Sequence, residues 1–183
     1  YFFQTSFRRD GSSRFGVENK FGEFGAFSIA WILSEENYFK KIPWLSFLKT
    51  RLSIGSSGND NIGNFNQYSF YSPNQNYAGQ NGIGPDNPSV PNLKWETVIS
   101  SDIAIDFGFF EDRVTGTIEY YHTNSKDVLV SNSPLSPSSG YNSVTKNLGE
   151  VESSGLEFQI TTNNLSKLSK LSWKTDFNIS SYR

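Results

Sequence analysis

The sequence predicts an all-β fold, an antiparallel transmembrane β-barrel of which this chain supplies about seven strands, on three observations. Apolar and polar residues alternate along seven segments with the period of two that a strand imposes on its side chains. One of them, Thr97–Phe109, alternates for longer than a soluble strand of about 5–6 residues and for longer than the roughly 9–11 residues that cross a bilayer. Tight turns and long loops take turns between the segments, which is the asymmetry of an outer-membrane type of barrel. A soluble antiparallel sandwich alternates too. On periodicity alone it stays open as the rival, with the Ile and Phe rows forming its core instead of meeting lipid.

The segments follow in order. Tyr1–Arg9 sets Phe3, Thr5 and Phe7 against Gln4, Ser6 and Arg8. Gly25–Leu33 lines up Phe27, Ile29, Trp31 and Leu33, and Leu48–Gly55 sets Leu48, Leu52 and Ile54 against Lys49, Arg51 and Ser53. The stretch Trp95–Phe109 sets Ile99, Ile103, Ile105, Phe107 and Phe109 against Ser100, Asp102, Ala104 and Asp106. Arg113–Lys126 sets Val114, Ile118 and Tyr120 against Thr115, Thr117, Glu119 and Thr123. Gly155–Thr162 and Leu171–Tyr182 repeat the pattern with Leu156, Phe158 and Ile160, then with Trp173, Phe177 and Ile179.

The connections are of two kinds. Glu111-Asp112-Arg113 and Asn163–Lys170 read as turns. Ser34-Glu35-Glu36 reads as a helix N-cap with acids in the first turn, which predicts a short helical turn before Pro43. Asp10–Phe21, Gly58–Asn92 and Asp127–Asn147 are loops of Gly, Ser, Asn and Pro. The second shows no periodicity, and long loops of that kind are functional or mobile in most proteins.

Composition removes several functions. A net charge of −2 with scattered Lys and Arg predicts no nucleic-acid partner. Without cysteine there are no disulfides or thiolate metal sites, and a single His122 precludes a histidine cluster. No apolar run approaches the roughly 18 residues of a membrane helix. Methionine is absent and both ends lie inside alternating patterns, which reads as an internal piece of a longer protein.

Candidate chemistry is sparse. Gly58–Asn64 offers oxygen ligands for calcium but lacks the twelve-residue spacing and terminal Glu of an EF-hand, so ordinary turn chemistry is the simpler reading. Asp10–Gly16 lacks the glycine and lysine spacing of a phosphate loop. Asp102, Asp106 and Glu119 share a face, which makes a carboxylate pair for acid–base work conceivable, although interior carboxylates of a barrel more often bind water, pair with lysines or contact a plug. No catalytic, cofactor or metal residue is assigned, and no enzyme activity is expected. Trp44 and Trp95 fall at strand ends, where an aromatic girdle sits. Tyr68, Phe70, Tyr71 and Tyr77 in the large loop are the candidate contacts for substrate or partner.

Several phrases, in order, resemble the SusC/RagA family of TonB-dependent outer-membrane transporters. They include Arg9-Asp10-Gly11-Ser12-Ser13-Arg14-Phe15-Gly16, Ala30-Trp31, Ser34-Glu35-Glu36 and Leu48-Lys49-Thr50-Arg51. Gly58-Asn59, Asn92-Leu93-Lys94-Trp95-Glu96-Thr97, Asp106-Phe107-Gly108, Gly116 and Tyr120-Tyr121 continue the run. Lys126-Asp127-Val128-Leu129, Ser138-Ser139-Gly140, Asn147-Leu148-Gly149, Gly155 and Glu157 complete it. Gly25 departs from the Pro frequent there, and Ser153-Ser154 from an Asn.

The resemblance implies a barrel of about 22 strands filled by an N-terminal plug. Residues 1–183 would be barrel only, with the plug and the closing C-terminal strand outside them. It implies a nutrient importer in the outer membrane of a Gram-negative, Bacteroidetes-like cell, surrounded by outer-membrane lipid. A SusD-like surface lipoprotein would cover the loops, the TonB complex would pull on the plug, and the cargo would be a glycan or peptide. A TonB-dependent receptor for a siderophore or small chelate is the alternative, beside a soluble carbohydrate-binding sandwich. Gly58–Asn92 and Asp127–Asn147 would be extracellular. Glu35–Phe47, Phe110–Arg113 and Asn163–Lys170 would be periplasmic.

Overall fold

β-Branched and aromatic residues on every second position favour extended backbone, and in this chain they draw seven long strands into one antiparallel sheet. The computed structural model describes residues 1–141, 143–165 and 171–183. In chain order the strands are β1 (Phe2–Gly11), β2 (Phe21–Ile32), β3 (Leu45–Asn59), β4 (Phe70–Tyr77), β5 (Gln80–Asn87) and β6 (Glu96–Phe109). They continue with β7 (Val114–Lys126), β8 (Leu129–Pro134), β9 (Ser143–Asn147), β10 (Glu150–Leu165) and β11 (Trp173–Tyr182). The large sheet runs β1-β2-β3-β6-β7-β10-β11. Each pair is antiparallel, so every wall strand neighbours its predecessor in the wall. At 15, 14, 13 and 16 residues, β3, β6, β7 and β10 all exceed a bilayer crossing of roughly 9–11 residues.

Register keeps the two faces separate across the sheet. Lys49, Arg51 and Ser53 of β3 stand opposite Asp106, Ala104 and Asp102 of β6, and these stand opposite Thr117, Glu119 and Tyr121 of β7. On the other face, Leu52, Ile103, Tyr120 and Leu156 form one continuous row. The soluble-sandwich alternative fails on burial. Ile103 is 52% exposed, whereas its neighbour Ala104, on the polar face, is 2% exposed. A sandwich would bury the Ile and Phe rows between two sheets. Here Phe3, Phe27, Leu52, Ile103, Ile118, Leu156 and Phe177 all stand open on one surface, as lipid-facing side chains do.

Two glycines on the wall make room for rings from the adjacent strand. A Cβ on Gly116 would come within 2.5 Å of the Phe107 ring, and one on Gly155 within 2.6 Å of the Tyr121 ring. Each aromatic ring therefore lies flat across its cross-strand glycine.

The loops depart from expectation. The large loop contains the hairpin β4–β5 and the loop after β7 contains β8–β9, each a two-stranded sheet of its own. The first hairpin turns through Ala78 at φ 52° and Gly79 at φ 80°, the left-handed pair of a type I′ turn. The predicted helical turn is present as 3-10 turns at Leu33–Glu35 and Phe39–Lys41. Ser34 does not cap it: Ile32 takes the cap position with no side-chain bond. The expected turn at Asn163–Lys170 lies mostly outside the described residues, since β10 runs on to Leu165.

Candidate functional site: the loop rim and the polar wall

The three long connections meet above one end of the sheet, and a small apolar core fastens them. Phe15, Ile62 and Leu93, one from the β1–β2 loop and two from the segment between β3 and β6, are buried together, with Leu93 fully so. Val90, Trp95 and Leu129 pack around them. Trp95 tilts against Phe15 at 5.2 Å between ring centres and meets Phe24 edge-on at 5.7 Å. Its indole Nε1 donates to the carbonyl of Lys20 at 3.3 Å. Trp95 is thus a loop-core residue, which corrects its reading as a girdle residue. Trp44 fits that reading: it is exposed at the opposite end and packs 5.4 Å from Phe109.

Polar clamps surround this core. Asp60 accepts a hydrogen bond from Ser12 Oγ at 2.8 Å, and Arg14 Nη1 lies 3.3 Å from its carboxylate while donating to its carbonyl at 2.9 Å. Arg14 Nε donates to Asn64 Oδ1 at 3.3 Å. A guanidinium therefore stands among the oxygens that suggested calcium, and no group of three metal-ligating side chains is found among the described residues. Asn147 ties two loops together. Its Nδ2 donates to the carbonyls of Lys94 and Asp127, both at 2.8 Å, and its Oδ1 accepts from the Lys94 N–H at 3.0 Å. Lys94 Nζ pairs with Asp127 at 2.9 Å, and Glu96 accepts the Leu129 N–H at 3.0 Å.

Above the rim stand the two hairpins. Tyr68, Phe70 and Tyr71 are all exposed, Tyr71 most at 67%. They lie at the start of the first hairpin, where Asn87 Nδ2 donates to the Tyr68 carbonyl at 2.9 Å. Tyr77 closes β4 opposite Gln80, and its side chain lies outside the described residues. Sequence reasoning missed a shallow cavity of about 90 Å³ between the hairpins, with Asn66, Asn87, Asn132, Ser143 and Thr145 in its lining. Only Asn132 carried a hint: Asn tolerates the left-handed backbone that it adopts there at φ 56°.

Below the rim, the polar wall is cross-linked by charge. Arg51 donates through Nε to Asp106 Oδ2 at 2.9 Å and through Nη2 to Oδ1 at 3.2 Å. The same Nη2 reaches Glu119 at 3.4 Å, crossing β6 above the small Ala104. Thr117 Oγ1 donates to Asp106 at 3.0 Å. Asp106 and Glu119 thus share one guanidinium in a forked, charge-assisted arrangement, and Asp102 is taken by Ser53 Oγ at 2.9 Å. That geometry suits a braced wall and engages all three carboxylates. His122 sits apart, 3.4 Å from Glu152.

Comparison with known proteins agrees with this geometry. Residues 2–183 match the family described as TonB dependent receptor-like, beta-barrel. TonB-dependent receptor P39 of Formosa agariphila is 33% identical over 180 residues, covering 98% of this chain and 17% of the relative. TonB-dependent receptor SusC of Bacteroides thetaiotaomicron is 35% identical over 188 residues, covering 98% and 18%. The RagAB peptide importer in its 'closed-closed' state superposes with a TM-score of 0.88 at 24% identity, over 99% of this chain and 20% of that one. Its 'open-open' state gives 0.81. The chain spans less than a fifth of the length of these curated relatives. With long strands, one lipid-facing row and a polar inner wall, the chain belongs to the TonB-dependent receptor-like β-barrel family and is outer-membrane barrel wall.

Proposed function

We propose that this chain is part of a SusC-type nutrient importer, with its rim on the cell surface. The observation that carries the reading is the sidedness of the sheet. Three connections gather into one fastened rim, while at the opposite end β6 passes to β7 through a tight turn and β2 passes to β3 through two 3-10 turns. The polar wall braced by Arg51 would face a plug supplied elsewhere in a barrel of about 22 strands. A SusD-like lipoprotein would close over the hairpins, and the TonB complex would draw the plug to admit a glycan or peptide. The wall binds and guides cargo and takes no chemical step with it.

Tyr68, Phe70, Tyr71 and Tyr77 are the proposed contacts to lid or cargo. Exposed aromatic side chains carry large contact areas at low entropic cost, and a hairpin fixed at its base holds them in place. Replacing residues 70–87 of the full-length protein with a short Gly-Ser turn tests the assignment. The expected outcome is a barrel that assembles normally, scored by its heat-modifiable migration, with lost lid capture or lost uptake. Unchanged pull-down of the lid and unchanged uptake would reject it. Uptake of a metal chelate without any lid would favour a siderophore receptor instead.

A further inference from the structure

We propose that Arg9 and Lys20, gathered on the ring of Phe21 at the rim end of the lipid-facing surface, bind the phosphorylated headgroup of an outer-leaflet glycolipid. The inference rests on the reading above that the rim lies at the cell surface. Parity puts Arg9 outside the barrel. On β1 it continues the row of Phe3, Thr5 and Phe7, and it stands opposite Glu23 of β2. Arg8, one residue away, falls on the polar face with Asp10, whose carboxylate it holds at 2.6 Å.

The depth of this group follows from the other end of the same strands. Tyr1 stacks on Trp31 with ring centres 5.5 Å apart. The Tyr1 hydroxyl and Trp31 Nε1 both donate to Glu36 Oε1, at 3.0 and 3.1 Å. Rings with an apolar body and an anchored polar tip mark a membrane interface. Phe21 lies ten positions nearer the rim on the same face of β2. At about 3.3 Å per residue and a tilt of about 35–45°, that climb is about 25 Å along the membrane normal, the height of the apolar band of an outer-membrane barrel. Phe21 thus marks the opposite interface, where headgroups begin. Its exposed ring lies across Gly11, where an added Cβ would come within 2.9 Å of it.

Two cations share that ring. Arg9 Cζ lies 4.6 Å from its centre and Lys20 Nζ 5.8 Å. Phe21 stands one step closer to the rim than the Arg9–Glu23 pair, so the guanidinium is lifted from hydrocarbon toward the headgroups, as a snorkelling arginine is. Its charge is loosely matched within the protein. Arg8, Arg14 and Arg51 each hold a carboxylate, at 2.6, 3.3 and 2.9 Å. The closest carboxylate to Arg9 is Glu23, 3.7 Å from Nε and beyond hydrogen-bond distance. Among the described residues Lys20 Nζ makes no ion pair, and Glu18 of the same connection pairs with neither cation. A guanidinium and an ammonium side by side offer many donors and no acceptor. A phosphate accepts from both through charge-assisted bonds. A phosphorylated glycolipid brings that phosphate to this depth, and its acyl chains run down past the exposed Phe7 and Phe27.

The test uses the full-length transporter, purified in detergent and freed of bound lipid. It is titrated by native mass spectrometry with phosphorylated lipid A, with the same lipid lacking phosphate, and with inorganic phosphate. The phosphorylated lipid is expected to bind about tenfold more tightly than the phosphate-free one. Arg9→Gln combined with Lys20→Gln is expected to cut that preference to about twofold or less, with heat-modifiable migration unchanged. Arg8→Gln, on the opposite face, is expected to retain it. If the double variant does not assemble, Lys20→Gln alone is read in the same way, with an expected drop of about threefold. Equal binding of the two lipids, a preference that survives the substitutions, or an equal drop in Arg8→Gln overturns the inference. Displacement of the lipid by millimolar inorganic phosphate overturns it too, because the ligand is then free phosphate. An epitope inserted between Ala78 and Gly79 and probed on intact cells tests the reading beneath. Antibody access without a phosphate preference leaves the surface rim standing and removes this inference alone, and an inaccessible epitope removes both.

Discussion

Ile103 and Ser100 lie three positions apart on β6 and face different media, so one substitution distinguishes lipid from lumen. An Arg at Ile103 enters hydrocarbon near mid-strand and should cost about 2–4 kcal/mol of folding stability. The same Arg at Ser100 faces the polar wall beside Thr123, whose Oγ1 lies 3.3 Å from the Ser100 Oγ, and should cost far less. Urea unfolding of the barrel in lipid vesicles measures both, and equal losses would show the faces reversed. Asp106 tests the wall's electrostatics. Asp106→Asn keeps the shape but removes the charge that Arg51 holds in a fork, and the pair is only part-buried. The expected loss is about 1–2 kcal/mol in the same assay. The residue types on each face were legible from parity alone. The partner of Arg51 was not, because the diagonal reach to Asp106 and across Ala104 to Glu119 depends on the register of three strands.

At the scale of elements, the loops were harder to read than the strands. A wall strand announces itself by a long two-residue period, and all seven were found; the structure lengthens β1, β2, β3 and β10 and trims the starts of β6, β7 and β11. β4 and β5 are short, carry Pro73 and several Gly, and pair through register shifts, so no alternation marks them. The tight turn after β6 is similar. Phe110, Glu111 and Asp112 all adopt positive φ there without a glycine to signal it. The rim was legible as words and not as a structure: Arg14, the run Leu93-Lys94-Trp95, Asp127 and Asn147 belong to four separate phrases that meet only in space. Asn147 is the clamp that joins the segments before β6 and after β7. Asn147→Ala removes three hydrogen bonds between the loops and leaves two carbonyls without that donor. It should speed proteolytic cutting within 60–94 and 127–149 while costing the barrel itself only about 1–3 kcal/mol. Limited proteolysis of intact cells reads the first effect. An unchanged cutting pattern would mean the clamp contributes nothing to loop order.

At the scale of the whole molecule, the large sheet has an apolar face that none of the described residues covers. Lipid is the solvent that such a face requires, so the full-length protein should sediment with outer-membrane vesicles and leave them only in detergent. Recovery in the aqueous fraction after cell breakage would contradict the barrel. Alternation, strand length and the order of turns and loops were enough to predict an antiparallel membrane-crossing wall, because each depends on local chain geometry and nearest neighbours, and burial then removed the sandwich alternative. Tertiary structure alone decided that Trp95 belongs to a loop core, that Arg14 stands where a calcium ion was conceivable, and that two hairpins enclose a cleft. Those outcomes depend on which distant segments share space above the sheet, and no periodicity within one segment records its neighbours in another.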